Sequence, residues 1–280
     1  VRGMINLIKK IIINKKKIFY KRSQIDTKVF VKKNFNKITL LTNLINIFKK
    51  ILNRTNSIRL VTNVKKIPFT QNFCLSGLNL AFLGYYNANR IKLYDNLFHW
   101  PDGIFAKKFN NNKQSFSKLP GRKLISNLIL PNYIKNIYIF GNLSKNSHLY
   151  LKKKFRLKII HVSLPYANVN YLYNNYCKKK FTAKDLIILT LPTPKQEQFA
   201  ELISSNNNFY KVLCVGGAIS MASGDEKPIP EFLDNLGLEF LWRLRTDTYR
   251  RVIRLVQSFS SYLHGEFNKK FSNIDIKLIK

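Results

Sequence analysis

The sequence predicts an α/β protein with a parallel sheet, because short apolar runs alternate with helix-like segments from about residue 72 onward. The runs are continuously apolar rather than alternating with polar residues, which is typical of strands that helices cover on both faces. Turn residues close most of the runs, and their spacing suits right-handed crossovers between parallel strands. We therefore expect one sheet with helices on both sides.

Four strands are predicted in this region, at 136–140, 157–162, 185–191 and 210–215. Helices are predicted at 143–155 and 195–203, the second after a break at Pro192-Thr193-Pro194. Ligands of such sheets bind at the carboxyl ends of the strands, so the candidate loops follow Phe140, Leu191 and Val215. The phosphate-binding patterns GxxxxGK[ST] and GxGxxG are absent, and Gly216-Gly217 by itself predicts only a tight turn.

Length and composition limit the class of protein. The chain has 280 residues, of which 45% are apolar, so it can bury a substantial core. It has no run of about 20 apolar residues that would span a membrane, and no secretory signal is predicted. The three cysteines are widely spaced, so we expect buried free thiols and a reducing compartment.

The formal charge of +35 predicts an anionic partner: nucleic acid, an acidic membrane leaflet or a phosphorylated substrate. Residues 1–70 contain 18 Lys and Arg and a single acid, Asp26. Within them, residues 40–52 form an amphipathic pattern with a basic rim, which suits either an anionic bilayer surface or the protein's own core. We predict a basic extension at 1–66, an α/β core at 67–236 and an Arg-rich helical appendage at 237–280.

Asp102 is the candidate catalytic residue, since acids are few and it follows an aromatic residue in His99-Trp100-Pro101-Asp102-Gly103. Pro-Asp-Gly is by default a turn, but a turn also fixes an acid well enough to act as a general base. The histidines have no metal-ligand spacing, and no serine lies in a G-x-S-x-G pattern. We therefore predict neither zinc hydrolysis nor a serine triad.

The C-terminal segment predicts a helix with Asp247 as its N-cap. Its apolar residues recur at helical spacing and are predicted to pack as one stripe: Val252, Leu255, Val256, Phe259 and Leu263. Arg250 and Arg254 project from the other side of this helix, and Arg243 lies upstream. Guanidinium groups arranged in this way suit bidentate contact with phosphate, although a solvated face is the simpler alternative.

In chain order, these motifs resemble one family, the WecG/TagA/CpsF glycosyltransferases, across roughly residues 72–264. The most specific motifs are Pro194-Lys195-Gln196-Glu197 after a strand, and Gly237-Leu238-Glu239 before Arg243-Leu244. Weaker ones are Pro101-Asp102-Gly103 and the Pro-Gly turn at Pro120-Gly121. The chain departs from the family at Gly77, where many members have threonine, and at Lys118, where arginine is common.

The resemblance implies a Rossmann-like enzyme that transfers a sugar of N-acetylmannosamine type from a UDP-sugar to a polyprenyl-diphosphate-linked acceptor, with inversion, for cell-surface polysaccharide. Asp102 corresponds to the proposed base and Arg243, Arg250 and Arg254 to acceptor contacts. The donor contacts are expected at Asn79, Lys118, Pro120, Gly121, Gln196, Gly216 and Gly217. The family needs no metal, in keeping with the missing Asp-x-Asp motif, and we expect no other cofactor.

The implied location is cytoplasmic, peripheral at the inner face of the membrane, with the anionic membrane surface as a partner. The oligomeric state stays open, a homo-oligomer included. Two other functions compete: a basic nucleic-acid-binding protein, and a degenerate transferase fold acting as a membrane scaffold. No RNA-recognition or helix-turn-helix pattern is visible, so we do not expect nucleic acid as a partner.

Overall fold

A computed structural model of the protein describes residues 57–103, 116–227, 230, 248–267 and 275–279. The described strands form one sheet in the order β5-β4-β6-β7-β2-β3-β1-β8, and all neighbouring strands run parallel. The predicted α/β class with a parallel sheet is confirmed. The predicted helix at 40–52 lies outside the described residues.

The strands of the sheet are short. In chain order they are β1 Ser57–Leu60, β2 Phe73–Gly77, β3 Leu97–Trp100, β4 Asn136–Gly141, β5 Lys158–Val162, β6 Asp185–Thr190, β7 Lys211–Cys214 and β8 Asp275–Leu278. Strands β4, β6 and β7 agree with their predicted ranges to within a residue at each end. Strand β5 also forms, but it is the edge of the sheet and is half-exposed, unlike the buried strand predicted there.

The helices are α1 Leu80–Asn87, α2 Gly121–Asn127, α3 Lys145–Phe155, α4 Val169–Tyr176, α5 Lys195–Asn206, α6 Ala218–Ala222 and α7 Thr248–Phe267. A 3-10 turn at Val64–Lys66 follows β1. Asparagine or serine side chains cap α1, α3 and α4 by accepting a hydrogen bond from the third residue of the helix.

The two faces of the sheet bury separate cores. On one face, α1, α4 and α5 pack on the sheet and contribute core residues such as Phe82, Leu172 and Phe199. On the other face, α2, α3 and α6 pack on the sheet, and α2 and α3 contribute core residues such as Leu124 and Leu151. Helices that follow neighbouring strands therefore leave to opposite sides of the sheet, which opens crevices at its carboxyl edge.

The sheet extends beyond the core predicted at 67–236. β1 pairs with β3, and β8 pairs with β1, although the sequence placed these segments in the extension and in the appendage. Each strand is only four residues long and is flanked by basic residues, so its local pattern does not distinguish it from an extension. The pairing depends on contacts between segments that lie far apart in the chain.

Helix α7 packs on α1, but not through the predicted apolar stripe. Among the α7 residues whose side chains the structure describes, Ser258 and Tyr262 are buried, while Val252, Val256, Phe259 and Leu263 are exposed. The prediction that this stripe packs is therefore wrong for these four residues. The reason is the close approach of the two helices, since a Cβ at Gly84 would lie 2.6 Å from the Ser258 carbonyl oxygen. Only a face with a small residue fits there.

Cys74, Cys177 and Cys214 are buried free thiols, as predicted. Burial raises the pKa of Cys74 and of Cys177 to about 12, so neither is a thiolate at neutral pH. Within the described ranges, no helix is long and apolar enough to cross a membrane.

Candidate functional site

Asp102 lies just past the carboxyl end of β3, and Asn79 follows β2, the neighbouring strand. The Asn79 side chain does two things at once: its Oδ1 accepts a hydrogen bond from the Phe82 backbone N–H at the start of α1, and its Nδ2 donates to Asp102 Oδ2 over 3.0 Å. The helix cap therefore orients the amide that holds the carboxylate. Both side chains are half-buried, so the carboxyl is neither sealed in the core nor loose in solvent.

Gly77 makes room for the Asp102 side chain. A Cβ at this position would lie 3.1 Å from Asp102 Cβ, 3.1 Å from its Oδ2 and 3.2 Å from Trp100 Cζ2. These distances are shorter than ordinary van der Waals contact, so a side chain at 77 would press on the carboxyl. The absence of one is a local feature of this chain that sets the space around Asp102.

The Pro120-Gly121 turn is tied to the Asp102 turn. The Leu119 backbone N–H donates to the Pro101 carbonyl oxygen over 2.9 Å, which brings Lys118 to the segment that carries Asp102. Gly121 in turn packs on the start of α6, where its added Cβ would lie 2.9 Å from Ala218 Cβ. The predicted Pro120-Gly121 and Gly216-Gly217 motifs therefore meet where α2 packs against α6.

The Gly216-Gly217 turn follows β7. Gly216 has a φ of +52°, which favours glycine, and its N–H donates to the Leu189 carbonyl and to Gln196 Oε1. At Gly217 an added Cβ would meet nothing within 4 Å, so its backbone faces open space. This turn is a place in the described site where a ligand can approach the main chain closely.

Gln196 is buried rather than open to a ligand, with 6% of its surface exposed. Its Oε1 accepts from the Gly216 N–H, and its Nε2 donates to Thr193 Oγ1 and Glu197 Oε1. The amide connects the loop before α5 to the turn after β7. Its predicted contact with the donor stays a prediction, since the side chain already has protein partners on both ends.

Sequence reasoning missed Glu197 as part of the site and treated it only as a favourable acid at a helix start. The carboxyl is buried, and Ser76 Oγ donates to its Oε1 over 2.6 Å. Burial raises the pKa of Glu197, and the hydrogen bonds from Ser76 and Gln196 oppose that effect. The sequence signal was slight: Glu197 lies three residues before Ala200, on the same side of the helix.

His99 was considered only as a metal ligand, but it is a core residue in β3. It is fully buried against Phe82, whose ring centroid lies 4.5 Å away, and neither ring nitrogen makes a hydrogen bond to a described residue. Burial lowers the pKa of His99 to about 3. The Ser76 backbone lies close to the ring and opposes this lowering of the pKa. His99 is therefore neutral at physiological pH.

Tyr166 is a second residue that the sequence did not single out. It is 98% exposed in the loop after β5, and Lys195 Nζ lies 4.0 Å from its ring centroid. The same ammonium group donates to the Ala167 carbonyl over 2.9 Å, which fixes the loop beside the start of α5. The ring is therefore exposed, while its loop is held beside the carboxyl edge of the sheet.

Of the predicted acceptor contacts, Arg243 lies outside the described residues, and Arg250 and Arg254 lie in α7. Gly84 of α1 faces Ser258, and Asn87 donates to the Ser261 carbonyl, so α1 and α7 run in the same direction. The first turns of α7 therefore lie level with the start of α1, at the edge of the sheet that carries Asn79. Arg250 and Arg254 lie in this part of α7, and their contact with the acceptor stays a prediction.

No group of three or more His, Cys, Asp or Glu among the described residues is arranged to hold a metal ion. The candidate site instead contains an acid, amides, a lysine and glycine turns, which the strand order brings to one edge of the sheet. They follow β6, β7, β2 and β3, which are adjacent in the sheet.

Together, these features define the class as a Rossmann-like α/β protein whose candidate site lies at the carboxyl edge of a parallel sheet. Residues 147–272 match the model of the Glycosyl transferase WecG/TagA/CpsF family, which confirms the predicted resemblance. The match includes Gln196 and the Gly216-Gly217 turn but begins after Asp102. A search of curated proteins finds no match. The family that this region matches is one of glycosyl transferases.

Proposed function

We propose that the protein is an inverting glycosyltransferase that moves a sugar of N-acetylmannosamine type from a UDP-sugar to a polyprenyl-diphosphate-linked acceptor. The observation that carries this proposal is the Asp102 carboxylate at the carboxyl edge of the sheet, held by a 3.0 Å hydrogen bond from Asn79. A half-buried, oriented carboxylate at the carboxyl edge of the sheet suits proton abstraction from an acceptor hydroxyl.

In a single displacement, the acceptor hydroxyl attacks the anomeric carbon while UDP leaves from the opposite face. One C–O bond forms as the sugar–phosphate bond breaks, and the hydroxyl proton passes to Asp102 late in bond formation. Asn79 holds one carboxylate oxygen by a hydrogen bond, which restricts the orientation of the group that accepts the proton. A positioned general base is typically worth about 10²–10⁴ in rate.

The donor's diphosphate fits best against the Gly216-Gly217 turn, where the backbone at Gly217 faces open space. Charge that develops on the leaving diphosphate needs cations or N–H groups nearby, and Lys118 is one described cation on the adjoining segment. Lysine neutralises phosphate as a point charge without the bidentate geometry of arginine. Pro120 and Gly121 shape the wall between these two groups.

Tyr166 suits the nucleobase of the donor. Its exposed ring offers a flat face, and the contacts of Lys195 with that ring and with the Ala167 carbonyl limit the loop's freedom. Base–aromatic stacking contributes about 1–3 kcal/mol in other proteins. With the base at Tyr166 and the diphosphate at Gly217, the donor would lie along the carboxyl ends of the central strands.

The acceptor's diphosphate is assigned to Arg243, Arg250 and Arg254. Because a lipid-linked acceptor lies in a membrane, the enzyme acts as a peripheral protein at the inner, cytoplasmic face. The strong positive charge of residues 1–70 favours an anionic leaflet, at about 1 kcal/mol for each basic residue near the surface.

The decisive experiment incubates the full chain with a panel of UDP-sugars and a lipid-diphosphate acceptor analogue, with and without a chelator. We expect UDP release that depends on the acceptor and is unchanged by the chelator. Salt-sensitive binding of RNA or DNA with no affinity for any UDP-sugar would instead favour the nucleic-acid-binding alternative. Affinity for UDP without transfer to any acceptor would favour the degenerate scaffold.

A further inference from the structure

The Glu197 carboxyl is a buried acid that accepts hydrogen bonds from three side chains. Its Oε1 accepts hydrogen bonds from Ser76 Oγ at 2.6 Å, Gln196 Nε2 at 2.9 Å and Thr193 Oγ1 at 3.2 Å. Its Oε2 is buried and has no hydrogen-bond partner among the described residues. Only 3% of the residue is exposed, so it cannot touch a substrate in the cleft.

These hydrogen bonds join two segments of the candidate site through one oxygen atom. Ser76 is in β2, two residues before the loop that carries Asn79, while Thr193 and Gln196 belong to the junction between β6 and α5. Gln196 then continues the connection, because its Oε1 accepts from the Gly216 N–H over 3.1 Å. The path runs from Ser76 through Glu197 and Gln196 to the turn that faces open space.

Packing alone does not explain a carboxyl at this position. An apolar side chain of similar volume would fill the same space without the cost of burying an acid that leaves one oxygen unpaired. The use of the Oε1 atom by three donors indicates that its role is to fix their geometry. Gln196 gains most, since Glu197 and Thr193 take both of its amide N–H groups and leave Oε1 directed at Gly216.

We propose that Glu197 is a positioning residue that acts through Gln196 to hold the Gly216-Gly217 turn in the shape that receives the donor's diphosphate. This inference rests on the proposed function for the identity of the ligand. The coupling from Glu197 to Gly216 exists without any ligand and can be measured separately. Because the turn is formed before the donor arrives, binding does not have to supply its ordering.

The first test measures amide hydrogen exchange at Gly216 in the full chain without substrate. Glu197→Met removes the acceptor at similar volume and should make the Gly216 amide exchange about tenfold faster, because it releases Gln196 and so weakens one of the two hydrogen bonds that the Gly216 N–H makes. Glu197→Gln keeps an oxygen for Ser76 and Gln196 and should stay within about threefold of wild type. Glu201→Met is the matched control, because Glu201 lies one turn further along α5 and should leave Gly216 unchanged.

The second test measures UDP binding by calorimetry in the same variants and in Gln196→Ala. We expect about tenfold weaker binding for Glu197→Met and for Gln196→Ala, and no further loss in the double variant, since both act along one path. Equal losses for Glu197→Met and Glu201→Met, or fully additive losses in the double variant, would overturn the inference.

The two hypotheses fail in different ways. If wild-type protein binds no UDP, the proposed donor is wrong, whatever the exchange at Gly216 shows. If UDP binds normally but Glu197→Met leaves the Gly216 exchange unchanged, the positioning role is wrong and the donor assignment stands. Should Glu197→Met fail to fold, Ser76→Ala removes the 2.6 Å hydrogen bond alone, and the inference requires it to speed exchange at Gly216 as well.

Discussion

Asn79 donates a hydrogen bond to Asp102 while capping helix α1, so one side chain connects the helix start to the proposed base. The two residues lie 23 positions apart in the chain but follow adjacent parallel strands. The register pairs Gly77 with Trp100, which places the residues after each strand next to one another. The contact is therefore a direct consequence of how β2 and β3 align.

The proposed base is tested by Asp102→Asn. The amide cannot accept the hydroxyl proton, so we expect turnover to fall by at least about 10²-fold while UDP affinity changes little. Initial rates with the acceptor analogue, together with calorimetry for UDP, measure the two effects separately. Asp95→Asn is the matched control, because Asp95 is an exposed acid that precedes β3, whereas Asp102 follows the other end of that strand. Normal turnover in Asp102→Asn would eliminate the assignment.

The two roles of Asn79 can be separated by substitution. Asn79→Ser keeps a capping oxygen for α1 but is too short to hold Asp102, so turnover should fall with little loss of stability. Asn79→Ala removes both contacts and should also lower the free energy of unfolding by about 1 kcal/mol. Urea denaturation and initial rates, measured on both variants, give this comparison. Equal turnover in Asn79→Ser and wild type would show that the hydrogen bond to Asp102 does not matter.

Tyr166→Ala tests the proposed position of the nucleobase. Loss of the ring should weaken UDP binding by about 1–3 kcal/mol, whereas Tyr166→Phe keeps the stacking face and should bind almost normally. Calorimetry with UDP is the measurement. Tyr171→Ala is a suitable control, because Tyr171 is another exposed tyrosine, in α4. The position is wrong if the alanine variants at 166 and 171 bind UDP equally well.

Gly84→Ala tests the packing of α7 on α1. Alanine is the better helix former by about 1 kcal/mol, but its Cβ would lie 2.6 Å from the Ser258 carbonyl oxygen and 2.8 Å from Ser258 Cα. Since these are backbone atoms, the helices must separate, and we expect a lower melting temperature and faster proteolysis within 248–267. A variant that melts at or above the wild-type temperature would show that the contact is not as close as described.

His99 predicts how stability depends on pH. Its folded pKa of about 3 lies below the unfolded value of 6.5, so the unfolded chain binds the proton first. The free energy of unfolding should therefore fall by about 1.4 kcal/mol per unit as the pH drops below 6.5, until it reaches about 3. Glu197, whose pKa is raised, opposes this trend at the acidic end.

The difference between wild type and His99→Leu isolates the histidine from other groups. Urea denaturation at pH 7.5 and pH 5.5 should show a smaller loss of stability in His99→Leu than in wild type. His148→Leu serves as the control, because His148 lies on α3 and is only partly buried. The same pH dependence in all three proteins would show that His99 is not buried as a neutral group.

Local pattern in the sequence was enough to determine the class of fold and much of its central part. Continuous apolar runs at β4, β6 and β7 indicate strands covered on both faces, and their turn residues mark where each strand ends. The same reasoning placed the candidate residues at the carboxyl ends of parallel strands. The family match confirms the resemblance over 147–272, while the roles of Asp102 and of the other site residues stay predictions.

What the sequence could not determine depends on contacts between distant segments. β1 and β8 are too short to be recognised alone, and only their pairing makes them strands. In α7 the apolar stripe predicted the wrong packing face, because the close approach at Gly84 selects the face with Ser258 and not the most apolar one. Periodicity shows that a helix has an apolar side, but only its neighbours decide which side is covered.

The same division holds for the site. By itself, the sequence determined which residue types are available: one acid in a turn, glycine turns and a Lys-Gln-Glu helix start. Only the tertiary structure decided that Asn79 meets Asp102, that Gln196 faces Gly216 and that Glu197 is buried beneath them. The physical reason is that hydrogen bonds act over about 3 Å, and the alignment of parallel strands alone brings these distant positions that close.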